Sequence, residues 1–109
     1  MKVNTFQLPL LDNDGKSLAS VHKMIMADLI NTFGGCTTTK TQGHWADHTG
    51  KIHTDNNIEY KVAFDDSLTN QNKFKTIVET AGVLGHQLAM FYTLNTQAFI
   101  MDIDSDGSL

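Results

Sequence analysis

The sequence contains no arginine, and apart from five histidines its basic side chains are eight lysines. Without arginine there is no bidentate guanidinium to hold phosphate or carboxylate groups, so an anionic ligand would depend on lysine or backbone N–H groups. Twelve aspartates and glutamates bring the net charge to −4, whereas nucleic-acid binders concentrate basic side chains on one face. The composition argues against a nucleic-acid partner and favours a neutral or cationic ligand.

Cysteine is equally scarce, since Cys36 is the only one. A single cysteine excludes an intrachain disulfide and a thiolate-rich zinc site. We expect a buried, unreactive thiol, because Cys36 begins a predicted strand and no histidine is placed beside it by the sequence. No segment approaches the roughly 20 apolar residues of a membrane helix, and residues 1–7 lack the apolar core of a secretory signal. We therefore expect a cytoplasmic protein with no membrane partner.

The first half of the chain predicts a strand, a helix and a second strand. Residues 6–10 alternate apolar and polar side chains, which is typical of a half-buried strand, and Pro9 should lie at its end or at an edge. Residues 17–33 carry apolar side chains at helical spacing, with Ser17 as the predicted N-cap and a glycine pair at the end. The β-branched run at residues 36–41 predicts the second strand.

The second half predicts a third strand at residues 58–64, where the period-two alternation is clearest. Ser67 or a neighbouring polar residue should cap a second helix, which we expect Gly82 and Gly85 to end. The predicted apolar face of this helix consists of Phe74, Ile77, Val78, Ala81 and Leu84.

The last apolar segments, residues 88–94 and 98–103, form either a hairpin or one kinked strand. The order strand, helix, strand, strand, helix, strand predicts an α+β ferredoxin-like βαββαβ sandwich, an antiparallel sheet with two helices on one face. We expect residues 1–103 to form this single domain and residues 104–109 to be a frayed tail. The other sheet face would need cover, so we expect an oligomer.

A cluster of histidines within residues 42–55 also contains the only tryptophan. A metal site is one interpretation, but a turn predicted at residues 47–50 separates His44 from His53, and zinc needs three or four ligands. The other interpretations are a solvated hairpin tip and a ligand pocket walled by Trp45, whose apolar face and indole N–H suit a flat ring. We predict no metal and no other cofactor.

Residues 102–107 match the first half of an EF-hand loop, Asp-x-Asp-x-Asp-Gly. The printed chain stops before the bidentate glutamate that such a loop needs at its twelfth position. Another aspartate-rich segment, residues 12–15, carries turn-forming residues instead. We interpret both segments as turn or tail and predict no calcium site.

Glu59 is one of only two glutamates and alternates with Ile58 and Tyr60. Neighbouring residues of a strand point to opposite faces, so Glu59 should face away from these apolar neighbours. The ordinary interpretation is an exposed strand residue. If a second subunit packs on that face, however, Glu59 becomes a buried carboxylate suited to a positively charged ligand.

Several features together resemble the small phage-encoded enzymes that degrade S-adenosylmethionine. The first helix has a glycine-rich end, and a Gly-x-aromatic step follows at residues 43–45. Glu59 enters the third strand, and Gln87 opens an apolar last strand. The resemblance implies a ferredoxin-like, PII-like fold and a homotrimer with an adenosine-type small-molecule ligand between its subunits.

The same resemblance implies a lyase that converts S-adenosylmethionine to methylthioadenosine and homoserine lactone. The substrate's own carboxylate displaces the sulfonium group, so the protein chiefly holds a reactive conformer and excludes water. By matching position, Glu59 is the predicted catalytic residue and holds the substrate's ammonium group. Trp45, Gln87 and Tyr60 are the predicted substrate-binding residues, and we expect the hairpin to bring Trp45 and Glu59 within reach of one pocket.

A non-catalytic protein is the alternative hypothesis. The sequence shows no clear counterpart, in its second half, of a second acid that the resemblance leads one to expect. A trimeric phage protein that sequesters a nucleotide-like signal, or blocks a host enzyme, would need binding residues alone.

Overall fold

The computed structural model describes residues 1–103, which form five strands and two helices. These are β1 (Lys2–Pro9), α1 (Ala19–Phe33), β2 (Thr37–Ala46), β3 (Ile52–Phe64), α2 (Leu68–Leu84), β4 (Ala89–Leu94) and β5 (Gln97–Asp102). All strand pairs are antiparallel, and the strand order is β2-β3-β1-β4-β5. The predicted ferredoxin-like α+β fold is therefore confirmed, with the last two segments forming a hairpin that adds a fifth strand.

The predicted tail at residues 104–109 and most of the EF-hand-like segment lie outside the described residues. In the part of the chain that is described, neither helix is long and apolar enough to span a membrane.

The core lies between the helices and one face of the sheet. Phe6 of β1 stacks on Tyr60 of β3 with ring centroids 4.9 Å apart, and Phe74 of α2 meets Phe6 edge-on at 5.8 Å. All three side chains are fully buried. Burying each large apolar side chain contributes about 1.5–3 kcal/mol, so this cluster is a main source of stability. The apolar residues of the central strands point inward, as their alternation predicted.

The two helices begin differently. Ser67 caps α2, because its side chain accepts a hydrogen bond from the backbone N–H of Asn70 at 3.1 Å, as predicted. Leu18, rather than the predicted Ser17, is the N-cap of α1, and it makes no side-chain capping bond. Ser17 pairs with Leu11 in a β-bridge, and its hydroxyl accepts a hydrogen bond of 3.2 Å from the N–H of Ala19, the first helical residue.

The C-terminal half of α2 also differs from the prediction. Gly82 does not end the helix but is buried inside it, where a Cβ atom would lie 2.7 Å from Ile103 and 2.8 Å from Met90. The glycine therefore allows close helix–sheet packing. Leu84 is 37% exposed rather than part of the apolar face, and Gly85 is the C-cap, as predicted.

The β2–β3 hairpin is much longer than the predicted strands at residues 36–41 and 58–64. Its outer halves extend beyond the helices, so most of their side chains are exposed and carry no apolar alternation. The predicted turn is confirmed: Gly50 has a φ of 86° and donates a backbone hydrogen bond to Asp47 at 3.0 Å. Trp45 is the next-to-last residue of β2 and lies close to this turn.

One face of the sheet carries no helix, and we call it the open face. Strand pairing assigns to it the side chains that alternate with the buried ones, among them Glu59, as predicted from the sequence. Large apolar side chains also lie exposed on it, including Val3, Phe91 and Ile100. The residues that could contact a ligand or a second subunit therefore share one surface.

Candidate functional site

Glu59 lies near the middle of the open face with polar neighbours on both sides. It pairs with Gln7 of β1 and Thr39 of β2, so the three side chains stand in one row across the sheet. Glu59 is half-buried in the single chain. We call Gln7, Thr39, Thr41, Asn57 and Glu59 the Glu59 patch.

The Glu59 patch is partly held in place by a side chain that crosses β3. Gln7 reaches over β3, and its Oε1 accepts a hydrogen bond of 3.1 Å from the hydroxyl of Thr41 on β2. Asn57, which pairs with Thr41, is only 9% exposed although no helix covers this face. The patch therefore offers a preformed polar surface around one carboxylate.

Trp45 lies on the same face, at the far end of the hairpin. It pairs with His53, and the two rings stack with centroids 4.4 Å apart and planes 19° apart. The indole N–H donates a hydrogen bond of 2.9 Å to Oδ2 of Asp55. Half of the Trp45 side chain remains exposed. The ring is thus fixed from two sides and still accessible.

His53 is braced in turn by Asp47, whose Oδ2 lies 2.8 Å from His53 Nε2. Hydrogen bonds from the Thr49 side chain, and secondly from His53, lower the pKa of Asp47 to about 2. His44 points to the opposite sheet face and contacts Thr54 at 3.0 Å, so it does not share a site with His53. Within residues 1–103 no group of three metal-ligating side chains lies close enough together to hold an ion.

Gln87 lies just before β4, across the C-terminal end of β1 from Asp55. Both residues line a cleft of about 500 Å³ together with Pro9, Asp12 and Thr54, among others. The Gln87 amide nitrogen donates a hydrogen bond of 2.8 Å to the carbonyl of Gly85. Gln87 and the Trp45–Asp55 pair therefore border one end of the sheet.

Tyr60 is on the helix-covered face, opposite to Glu59. Its hydroxyl lies 2.5 Å from Nδ1 of His22, whose Nε2 contacts the carbonyl of Pro9 at 2.8 Å. A carbonyl only accepts, so in the neutral ring Nε2 carries the hydrogen and Nδ1 accepts from Tyr60. Burial raises the pKa of Tyr60 to about 12. Tyr60 and His22 also line an apolar cavity of about 560 Å³ beside α1.

Cys36 is half-buried next to the core rather than fully buried as predicted. Burial raises the pKa of its thiol. The thiol is therefore protonated at neutral pH, which agrees with the prediction that Cys36 is unreactive.

Trp45 and Glu59 lie at separate points of the open face in one chain. His53, the partner of Trp45, is six residues from Glu59, or about 20 Å along β3, and Asp55, which bonds the Trp45 indole, is four residues or about 13 Å from Glu59. Tyr60 is on the other face of the sheet. The four predicted site residues thus lie apart, and Asp55, which bonds the Trp45 indole, borders the same cleft as Gln87.

Three polar residues of these sites were missed by the sequence reasoning, namely Gln7, Asn57 and Asp55. Gln7 occupies a polar position of the predicted first strand, but only the pairing of β1 with β3 shows that it lies beside Glu59. Asn57 and Asp55 lie in the outer half of β3, where the sequence has no apolar alternation and the strand itself was not predicted. No alternation of apolar and polar residues therefore marked Asn57 and Asp55 as strand residues.

No protein-family model and no curated protein matches the chain. Two solved structures share its fold. One is a phage SAM lyase in complex with S-methyl-5'-thioadenosine, with a TM-score of 0.69 and 9% identity over 94% of this chain and 89% of that one. The other is a phage SAM lyase in the apo state, with a TM-score of 0.68, 11% identity and the same coverage. The resemblance seen in the sequence is confirmed at the level of the fold.

Proposed function

We propose that this protein is an S-adenosylmethionine lyase that releases methylthioadenosine and homoserine lactone. The observation that carries the proposal is the position of Glu59 at the centre of a polar patch on the open face of this fold. The two phage SAM lyases of the same fold, one of them in complex with S-methyl-5'-thioadenosine, support the choice of reaction.

In this reaction the main task of the protein is to position the substrate. An oxygen of the substrate's own carboxylate attacks the γ-carbon, the bond from that carbon to sulfur breaks, and the electron pair stays on sulfur. Methylthioadenosine leaves as a neutral thioether, and the lactone keeps the ammonium group. Holding the carboxylate near the γ-carbon removes the entropic cost of the encounter, and exclusion of water favours charge neutralisation.

Glu59 is the predicted group that holds the substrate. Its carboxylate attracts the substrate's ammonium, and Gln7 and Thr39 on either side supply further polar atoms. The absence of arginine leaves the patch without a competing guanidinium. Neutralising Glu59 should therefore weaken both binding and turnover.

A site between subunits would reconcile the separation of Glu59 and Trp45. Asp55, which bonds the Trp45 indole, is about 13 Å from Glu59 along β3, and two open faces packed together would bring Glu59 of one subunit nearer to Trp45 of another. Exposed Val3, Phe91 and Ile100 supply apolar area for such packing. We place this homotrimer in the cytoplasm of a phage-infected host, where the substrate is made.

The activity test is incubation with S-adenosylmethionine and chromatographic detection of methylthioadenosine. The Glu59→Gln variant should lose most of the activity, because an amide has no charge for the ammonium group. Glu79→Gln is the matched control, since Glu79 is the other glutamate and lies exposed on α2. Absence of product from the wild-type protein at high concentration would refute the lyase assignment.

Mixed oligomers test whether the site lies between subunits. Glu59→Gln and Trp45→Ala are expected to be nearly inactive alone, but co-expression should restore part of the activity, because some interfaces then carry both native side chains. Failure of the mixture to regain activity, with mixed oligomers shown by mass spectrometry, would refute a site that Glu59 and Trp45 form across an interface.

A non-catalytic sequestering protein remains the second candidate. It is favoured by the composition of the Glu59 patch, in which Glu59 is the one carboxylate among the described side chains. Tight binding of S-adenosylmethionine without product would support this candidate and exclude the lyase.

A further inference from the structure

Three contacts fix the orientation of the Trp45 ring, although half of this side chain is exposed. His53 stacks on it at 4.4 Å, Asp55 accepts from its N–H at 2.9 Å, and Asp47 braces His53 at 2.8 Å. Ordering a half-exposed side chain in this way costs conformational entropy. A flat indole held in place beside a carboxylate offers an apolar face for stacking and an acceptor for hydrogen-bond donors.

An open space lies beside this pair. Gly43 is directly across from Asp55 on the open face, and a Cβ atom there would meet a single neighbouring group, the Asn57 amide at 3.5 Å. Gly43 does not have a positive φ, so the backbone does not require glycine at this position. The missing side chain instead leaves room next to Trp45 and Asp55.

Asp55 also borders a cleft with negative charge, which Trp45 and Gly43 do not line. The cleft that Asp55 borders is lined by a second carboxylate, Asp12, and by no lysine among the described residues. Backbone hydrogen bonds, first from Lys16, lower the pKa of Asp12, so it is ionised at neutral pH. A phosphorylated ligand would be repelled, whereas a neutral or cationic one with hydroxyl donors is accommodated.

We propose that Trp45 and Asp55 bind a ribonucleoside, with the base stacked on the indole and the ribose hydroxyls donating to the Asp55 carboxylate. This inference rests on the proposed function and deepens it, since it names Asp55 as the residue that recognises the sugar of the substrate. One carboxylate oxygen is already used by the Trp45 N–H, and the carboxylate retains acceptor capacity for a ribose hydroxyl.

Trp45 is the only tryptophan, so its fluorescence reports on this site alone. Adenosine and methylthioadenosine should quench it in a saturable way, and 2'-deoxyadenosine should bind roughly tenfold more weakly, because a hydrogen bond to a charged group is lost. Asp55→Asn keeps an acceptor for the indole but should weaken adenosine binding about tenfold and remove the discrimination against 2'-deoxyadenosine. Asp65→Asn, at the opposite end of β3, should bind adenosine like the wild type.

A second variant keeps the test decisive if Asp55→Asn is unstable. Gly43→Val fills the space beside Asp55 with a residue that strands favour, so it should fold and abolish quenching. Unchanged adenosine affinity in Asp55→Asn, equal affinity of the wild type for adenosine and 2'-deoxyadenosine, or quenching that survives Gly43→Val would overturn the proposal.

The same assays separate the two proposals. Quenching by adenosine without turnover of S-adenosylmethionine would uphold the nucleoside site and refute the lyase. Turnover of S-adenosylmethionine without nucleoside quenching would uphold the lyase and refute a site on Trp45.

Discussion

At the scale of single residues, Asp47 links the turn of the hairpin to the Trp45 ring. Its carboxylate accepts from the Thr49 side chain, from His53 and from the backbone N–H groups of Thr49 and Lys51. The pKa of Asp47 falls from 3.8 to about 2. Because the folded pKa is depressed, this carboxylate adds stability above its unfolded pKa and loses it as the pH falls from about 4 to about 2.

Thr49→Val is expected to raise the pKa of Asp47 from about 2 toward 3.8, since the side-chain hydrogen bond of Thr49 is the largest cause of the shift. NMR titration of the carboxyl carbons measures it directly. Thr32→Val, an exposed change on α1, is the control and should leave the Asp47 titration as it is. An unchanged Asp47 pKa in Thr49→Val would show that His53 and the backbone amides dominate.

Tyr60→Phe is expected to lower the free energy of unfolding by about 1–3 kcal/mol, because Nδ1 of His22 loses its buried partner. Urea denaturation measures the change. Tyr92→Phe is the matched control, since Tyr92 is also buried but its hydroxyl makes no hydrogen bond within the described residues. The control should stay within about 0.5 kcal/mol of the wild type. Equal losses in both variants would contradict the importance of the His22 contact.

At the scale of elements, α2 approaches the sheet most closely at Gly82. The helix and β4 leave no space for a methyl group there, because Ile103 and Met90 occupy it at 2.7 and 2.8 Å. Alanine is the better helix former by about 1 kcal/mol, but overpacking in a core commonly costs about 1–3 kcal/mol. Packing therefore decides which residue this helix position accepts.

Gly82→Ala should destabilise the protein by about 1–2 kcal/mol in urea denaturation, in spite of its gain in helix propensity. Gly35→Ala is the control, because a Cβ atom at Gly35 has no neighbour within 4 Å and its φ is not positive. A Gly82→Ala variant as stable as the wild type would mean that Ile103 and Met90 move aside without cost.

At the scale of the whole molecule, the open face leaves large apolar side chains uncovered. Ile100 is 73% exposed and Val3 and Phe91 about half exposed, on the same sheet face as the Glu59 patch. Apolar area of this kind on an uncovered sheet marks an interaction surface. Assembly and function are therefore predicted to use one surface.

We expect the wild-type protein to have about three times its chain mass of 12.1 kDa in light scattering. Ile100→Lys should dissociate it, because a buried unpaired ammonium at the interface is costly. Leu68→Lys is the control, since Leu68 is similarly exposed but lies at the start of α2. A wild-type monomer, or an intact oligomer in Ile100→Lys, would reject sheet-to-sheet assembly through β5.

Much of the fold followed from local patterns, and the failures share a cause. The central strands and both helices were predicted because one side of each is apolar and buried. The hairpin turn was predicted but the full length of its strands was not, because the outer arms project beyond the helices and nothing in their packing imposes an alternation. Gly82 was wrongly predicted to end α2 because glycine has a low helix propensity. Its position inside the helix instead depends on close packing against Ile103, which is distant in sequence.

By itself the sequence determined the fold class, the face to which Glu59 points and the turn at Asp47, because periodicity and turn chemistry are local properties. Only the tertiary structure decided that Trp45 bonds Asp55, that the Tyr60 hydroxyl contacts His22, and that Asp55 lies about 13 Å from Glu59 along β3. Distances between side chains depend on strand register, and register is set by pairing between segments far apart in the chain.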